Sequence, residues 1–184
     1  MAFFEEIIEK YYPLDDNLRR LLVHHSRQVA DRALLISRRH PELGVDEEFL
    51  ENAAMLHDIG IFRCDAPSIF CHGTEPYLLH GKLGAELLRK ETSNMEMCER
   101  LARVCERHTG TGLTAENIRE QGLPLPEEDL LPETLEEIIV CYADKFYSKS
   151  HPERERTVEQ TAKSLEKFGM EGVKKFLSWA ERFE

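Results

Sequence analysis

Apolar side chains recur along this chain at three- and four-residue steps almost throughout, the period of helices that pack by one face. Phe3, Phe4, Ile7, Ile8 and Tyr11 form a short stripe that has to stop before Pro13, and it reads as packed on the rest of the bundle. Asp15 or Asp16 is placed to cap a second helix running to about His40, ahead of Pro41. Asp46 is placed to cap a third, predicted to end at Gly60. Further helices are predicted over about Leu78–Lys90, Met95–His108 and Glu133–Ser148, and two more beyond Pro152, broken at Gly169 and Gly172. The last carries a stripe of Val173, Phe176, Leu177, Ala180 and Phe183. Two long segments interrupt the pattern. Ile61–Tyr77 contains Pro67, Gly73 and Pro76 and reads as a loop; Thr109–Pro132 is rich in Gly and Pro, with one helical turn around Glu116–Glu120. Alternating runs of the strand type are nearly absent, so the predicted class is all-α, a helical bundle without internal repeats.

A length of 184 residues suits one domain. The expected unit is 1–184, with a core over about 18–149 and C-terminal helices over about 153–184 packed on it. The longest wholly apolar run, Ile138–Ala143, is far short of a membrane span. The first residues include Glu5 and Glu6 where a signal peptide would be basic, so a cytoplasmic protein with no membrane partner is expected. The net charge of −11 argues against tracking a nucleic-acid backbone, which requires Lys and Arg surfaces. It leaves room for a small phosphorylated substrate, because a bound metal dominates the field at its own site. The five cysteines (64, 71, 98, 105 and 141) include no C-x-x-C pair and read as reduced, buried thiols, with Cys64 and Cys71 flanking the candidate site. Trp179, near Phe176 and Phe183, reads equally as core packing or as the anchor of a homodimer.

The chemistry lies in an ordered set: His25, His57-Asp58, His80, His108 and Asp144. Imidazole and carboxylate are the usual ligands of borderline and hard divalent ions. Six such residues suffice for two ions sharing an aspartate. Taken singly, each histidine reads as a satisfied core residue; the ordered set reads as a metal centre. Helical geometry chooses between neighbours. His25 lies in the stripe of Leu18, Leu21, Leu22, Val29 and Ile36, whereas His24 is rotated by about 100° toward solvent. His57 continues the stripe of Leu50, Ala53 and Ala54, and His108 that of Met97, Leu101, Val104 and Cys105. His80 opens a helix in which Gly81, Gly84 and Ala85 permit a close approach to another helix. Asp144 follows six apolar residues, and a carboxylate buried there needs a partner. His40 and His151 precede prolines and read as structural or solvated.

This set, together with Leu56-His57-Asp58-Ile59-Gly60, resembles the HDIG branch of the HD superfamily of metal-dependent phosphohydrolases, over roughly Val23–Lys149. The resemblance implies a helical HD domain in which His25, His57, Asp58 and Asp144 hold one divalent ion. Asp58 would bridge to a second ion held also by His80 and His108, with iron, manganese or a mixed pair as the metals. It implies attack of metal-activated water on phosphorus, with Asp58 as bridge and orienter. Tyr77–Leu88 and Tyr142–Lys145 are similar to stand-alone HD hydrolases that split dinucleoside polyphosphates. Nucleotides, dinucleoside polyphosphates and simple phosphomonoesters are therefore the expected substrates. One departure stands out: many relatives carry a phosphate-contacting lysine directly after the HDIG motif, where this chain has Ile61. This weakens any transfer of the cyclic-dinucleotide activity of the HD-GYP branch. Arg63 and Lys82 are the candidate substrate-binding residues, and Lys145 or His72 the candidate to assist the leaving group, though each also reads as an ordinary surface side chain. Two other readings follow from the same family: a di-iron oxygenase, and a non-catalytic nucleotide sensor.

Overall fold

The computed structural model describes residues 1–91 and 93–184. The helices are α1 (Phe3–Tyr11), α2 (Asn17–Arg39), α3 (Glu47–Leu56), α4 (His80–Leu88), α5 (Met95–Arg107), α6 (Ala115–Glu120), α7 (Leu135–Asp144), α8 (Val158–Leu165) and α9 (Met170–Phe183). The expected all-α class holds. Their starts are written in the sequence: Asp16 accepts from the Arg19 amide, Asp46 from that of Phe49 and Asn94 from that of Met97. Thr114, Thr134 and Thr157 form reciprocal capping boxes with Asn117, Glu137 and Gln160.

α3 lies at the centre and packs against α1, α2, α5 and α7. Its Phe49, Leu50, Ala53, Ala54, Met55 and Leu56 are all buried. α4 lies along α5. The C-terminal pair α8 and α9 closes the far side, where Phe176 and Phe183 join Tyr142 and Phe146 in an aromatic cluster with ring centroids 5.0–5.6 Å apart. Arg32 lies over the Phe146 ring at 3.4 Å. Trp179, Phe176 and Phe183 are buried in this cluster's neighbourhood, so core packing accounts for them. Leu177, which the stripe included, is 40% exposed instead. All five cysteines are free and buried. No helix among the described residues is long and apolar enough to cross a membrane.

Several predicted boundaries move. α3 ends at Leu56, not Gly60, because the amides of Ile59 and Ile61 bond to the carbonyls three residues back and tighten the chain into turns. α7 stops at Asp144 for the same reason, with Lys145, Phe146 and Tyr147 bonded three residues back. Gly172 lies inside α9, so the break is at Gly169 alone, at φ 109°. The segment 61–77 is an ordered strap. It contains an antiparallel pair, β1 (Asp65–Ala66) and β2 (Cys71–His72), in the register Asp65 to His72. Phe70 turns this pair at φ 63°, the one positive φ outside glycine among the described residues.

Two glycines set how closely the layers meet. A β-carbon on Gly60 would lie 2.4 Å from the Gly84 amide nitrogen and from the His80 carbonyl oxygen; one on Gly81 would lie 2.3 Å from the Cys105 carbonyl oxygen. Backbone therefore touches backbone where α4 begins. Alanine at 81 would gain up to about 1 kcal/mol of helix propensity. The clash is with backbone, which cannot step aside, and overpacking of this kind costs about 1–3 kcal/mol. Gly81→Ala should accordingly lower the urea midpoint, and an unchanged midpoint would contradict the close approach.

A second clasp ties α1 to the end of α4. Lys10 reaches both Glu91 carboxylate oxygens at 2.8 and 2.9 Å, and the Tyr11 hydroxyl donates to Glu91 at 2.6 Å. Burial pushes the Glu91 carboxyl up, but Lys10 and Tyr11 outweigh it and hold the group below its usual value. Stability from a depressed carboxyl is present above the unfolded value of about 4.3 and is lost as pH falls through the folded value. Wild type should therefore exceed Glu91→Gln in stability at pH 6, with the gap closing in acid unfolding series below about pH 4. A gap that persists unchanged at pH 3 would show that the carboxylate charge is not the stabilising feature.

Candidate metal centre

Helix ends supply five of the six residues of the site. His57 and Asp58 follow α3, His80 opens α4, His108 follows α5 and Asp144 closes α7; only His25 lies within a helix, α2. His25, His57, Asp58, His80 and His108 are all buried, with Asp58 and His57 at 0% exposure. His25 points inward and His24 is exposed, as the periodicity predicts.

The two oxygens of Asp58 face different neighbours. Oδ2 lies 3.3 Å from His25 Nε2 and 3.0 Å from His57 Nε2. These two rings also approach Asp144 Oδ1, at 3.0 and 3.5 Å. Oδ1 of Asp58 lies 3.4 Å from His80 Nε2 and 3.5 Å from His108 Nε2. Two groups result that share Asp58: His25, His57, Asp58 and Asp144, and Asp58, His80 and His108, each with its ligand atoms within 4.8 Å of one another. The structure thus brings together all six residues singled out in the sequence.

Three of the four rings are oriented by backbone. His57 Nδ1 contacts the Ala54 carbonyl at 2.6 Å, His80 Nδ1 that of Tyr77 at 2.7 Å, and His108 Nδ1 that of Cys105 at 2.7 Å. With Nδ1–H donating, each Nε2 presents its lone pair inward, the orientation a metal ligand needs. This creates a conflict that tests the site. His80 Nε2 and His108 Nε2 stand 3.0 Å apart, so two lone pairs face each other. His57 Nε2 and both Asp58 oxygens lack any partner in hydrogen-bonding geometry, although nitrogen and oxygen atoms crowd around them. Buried polar atoms are rarely left so. A divalent ion resolves both features, since ligands about 2.0–2.2 Å from a common ion lie roughly 3 Å from one another. The donor set fits a divalent metal site.

Two lysines balance the carboxylates. Lys149 Nζ lies 2.5 Å from Asp58 Oδ2, and Lys145 Nζ 2.5 Å from Asp144 Oδ2 and 2.8 Å from the His108 carbonyl. Burial alone would raise both aspartates; for Asp58 the neighbouring charges of His57 and Lys149 win, and for Asp144 chiefly that of Lys145, so both stay ionised. Burial pushes His80 down to about 3 and lowers His108, leaving both neutral. His57 moves the other way: burial opposes its charge, but the two carboxylates raise it to about 9, so a metal ion entering there displaces a proton.

The remaining candidates lie farther out. His72 is exposed on β2. Arg63 turns to Glu86 at 3.4 Å. Lys82 is half-buried on α4 and joins no ion pair among the described residues. Lys145 belongs to the site, tethered to Asp144. Sequence reasoning passed over Lys149 and Tyr77. Tyr77 stacks on His80 with centroids 4.7 Å apart. Lys149 lies beyond the end of α7, where periodicity assigns no face; the signal available was that two buried carboxylates in one core require cations.

The HD domain family model matches residues 22–148. An uncharacterized protein of Methanocaldococcus jannaschii is 39% identical over 127 residues, covering 68% of this chain and 65% of the relative. Two proteins named tRNA (cytidine(56)-2'-O)-methyltransferase also match. That of Picrophilus torridus is 32% identical over 148 residues, 76% of this chain and 38% of its own. That of Thermoplasma volcanium is 25% identical over 162 residues, 88% of this chain and 41% of its own. The chain therefore spans less than two thirds of the length of each of these relatives. No solved structure matches it.

Metal should stabilise the fold through the site. At about a hundredfold excess over Kd a single ion contributes about 2.7 kcal/mol, on the order of 5–10 °C for a protein of this size. Manganese added to chelator-treated protein should raise Tm by that amount, and His57→Gln should lose the rise even if its own baseline is lower. An equal rise in His57→Gln would place the metal elsewhere.

Proposed function

Because the chain belongs to the HD domain family, we propose that it is a metal-dependent phosphohydrolase of the cytoplasm, folded as one domain over 1–184, that cleaves a small phosphorylated substrate. The observation that carries this reading is the division of Asp58: one oxygen faces His25 and His57, the other His80 and His108. That arrangement suits two divalent ions, iron, manganese or one of each, sharing one carboxylate. Bound there, such ions supply a water of lowered pKa and neutralise charge on the phosphoryl oxygens.

The chain's own residues do the rest. His57, His80 and His108 are held by backbone carbonyls and present Nε2 without a reorientation step. Asp58 orients both halves of the site. Lys145 fixes Asp144 and keeps it ionised. Arg63, Lys82 and His72 are left as outlying substrate contacts. A cavity of about 330 Å³ beside Tyr77 and Lys149 provides access for a substrate. Nucleotides, dinucleoside polyphosphates and phosphomonoesters lead the expected substrates, in keeping with a net charge of −11. The names of the two methyltransferase relatives favour a second reading, in which the phosphorylated substrate is an RNA.

Both are tested by one anaerobic panel of nucleotides, dinucleoside polyphosphates, phosphomonoesters and short RNAs ending in 2'-, 3'- or 2',3'-cyclic phosphate, with Mn²⁺ and Fe²⁺ loaded separately. Wild type should release phosphate or nucleotide from one class, and Asp58→Ala should lose more than about a hundredfold of that rate. Silence from fully metallated wild type across the panel would refute the hydrolase. Oxygen uptake dependent on iron and an organic substrate would move the site to oxygenase chemistry, and tight nucleotide binding without turnover to a sensor.

A further inference from the structure

Lys149 has two possible partners, and only one of them is inside the metal cluster. Its ammonium lies 2.5 Å from Asp58 Oδ2, the oxygen that also faces His25 and His57. Its side chain is 13% exposed, on the wall of the cavity lined also by Ser68, Ile69, Tyr77, Ser148 and Ser150. The Tyr77 phenol lies beside the same ammonium. In a chain of net charge −11, this cavity has one lysine, four hydroxyl groups and no carboxylate among its lining residues. That is the lining of a pocket for an oxyanion.

Metal and lysine compete for one oxygen. A divalent ion held by His25, His57, Asp58 and Asp144 would compete for Asp58 Oδ2 and repel an ammonium resting on that atom. Lys149 sits in a turn beyond α7, outside any helix. Its four-carbon stem lets Nζ move without a change of backbone. The Tyr77 hydroxyl and the cavity are then within its polar surroundings, together with Asp144.

We infer that Lys149, with the Tyr77 hydroxyl, forms a phosphate-binding subsite at the mouth of the metal centre that becomes available when metal takes over Asp58. The inference rests on the proposed phosphohydrolase only for the choice of phosphate as the anion. Lys149 brings a positive charge to the site from the segment beyond α7. Metal and phosphate binding are coupled as a consequence, each strengthening the other by the same factor.

The test uses full-length protein loaded with Mn²⁺, desalted, and titrated calorimetrically with inorganic phosphate, with metal content measured in parallel. Wild type should bind phosphate when metallated and at least tenfold more weakly when stripped of metal. Lys149→Met should retain its manganese and lose roughly 10- to 100-fold in phosphate affinity, the range for a hydrogen bond to a charged group; Lys149→Arg should recover most of it. Tyr77→Phe keeps the ring on His80 and should weaken phosphate by a few-fold, and it carries the test should Lys149→Met fail to fold. Phosphate affinity equal to wild type in Lys149→Met, or in Tyr77→Phe where that variant stands in, overturns the subsite. So does equal affinity with and without metal, and so does loss of manganese from Lys149→Met, which would make the lysine a strut for Asp58. Phosphate binding that follows the expected pattern in a protein that hydrolyses no ester keeps the subsite and removes only the hydrolase.

Discussion

A carboxylate with no exposure to water is the constraint from which the rest of this molecule follows. An unpaired ion in such a place is prohibitively costly, and a group so placed either takes up a proton or is surrounded by cations and donors. Asp58 is surrounded. Four imidazole nitrogens lie within 3.5 Å of its oxygens and an ammonium lies closer still. To assemble them the fold brings α2, α3, α4, α5 and the segment beyond α7 to one point. The glycines at 60 and 81 belong to the same requirement. Only backbone-to-backbone contact at the start of α4 lets His80 reach the same carboxylate as His25 and His57.

The use of helix ends has a physical reason. The last carbonyls of a helix lack intrahelical partners. His57 and His108 each follow a helix by one residue and turn Nδ1 back onto the carbonyl three residues earlier. One contact thereby closes the helix, selects the tautomer and aims Nε2 at the cluster. The early stop of α3 belongs to this arrangement. His57 keeps helical backbone angles, φ −55° and ψ −30°, and its Nε2 still lies 3.0 Å from Asp58 Oδ2.

What the sequence disclosed follows from how each feature is encoded. The starts of α2 and α3 were legible because Asp16 and Asp46 carry local capping chemistry. The six site residues were legible because five terminate or open apolar stripes and the sixth, His25, lies within one. The end of α7 was hidden, since three-residue bonding by Lys145, Phe146 and Tyr147 has no compositional mark. Lys149 was hidden for a related reason: beyond a helix end, no period assigns a side chain to a face. Arg63 and Lys82 were candidates as positive charges in place of the missing lysine, yet Arg63 is engaged by Glu86 and Lys82 joins no ion pair among the described residues. The ordered strap over 61–77 was hidden because its two-residue strands are too short to show alternation.

Net charge and local charge also part company here. The chain as a whole is strongly acidic, which disfavours the long phosphate tracks of nucleic acid. At the site, two lysines meet two aspartates, so the protein groups nearly balance before any metal is counted. A divalent ion held there would add positive charge in a place from which water is largely excluded, so the local field would be set there rather than by the surface. An anion of a few atoms senses mainly that local excess, while a polyanion of many nucleotides also senses the acidic exterior. The local field therefore favours a small anion over a long polyanion.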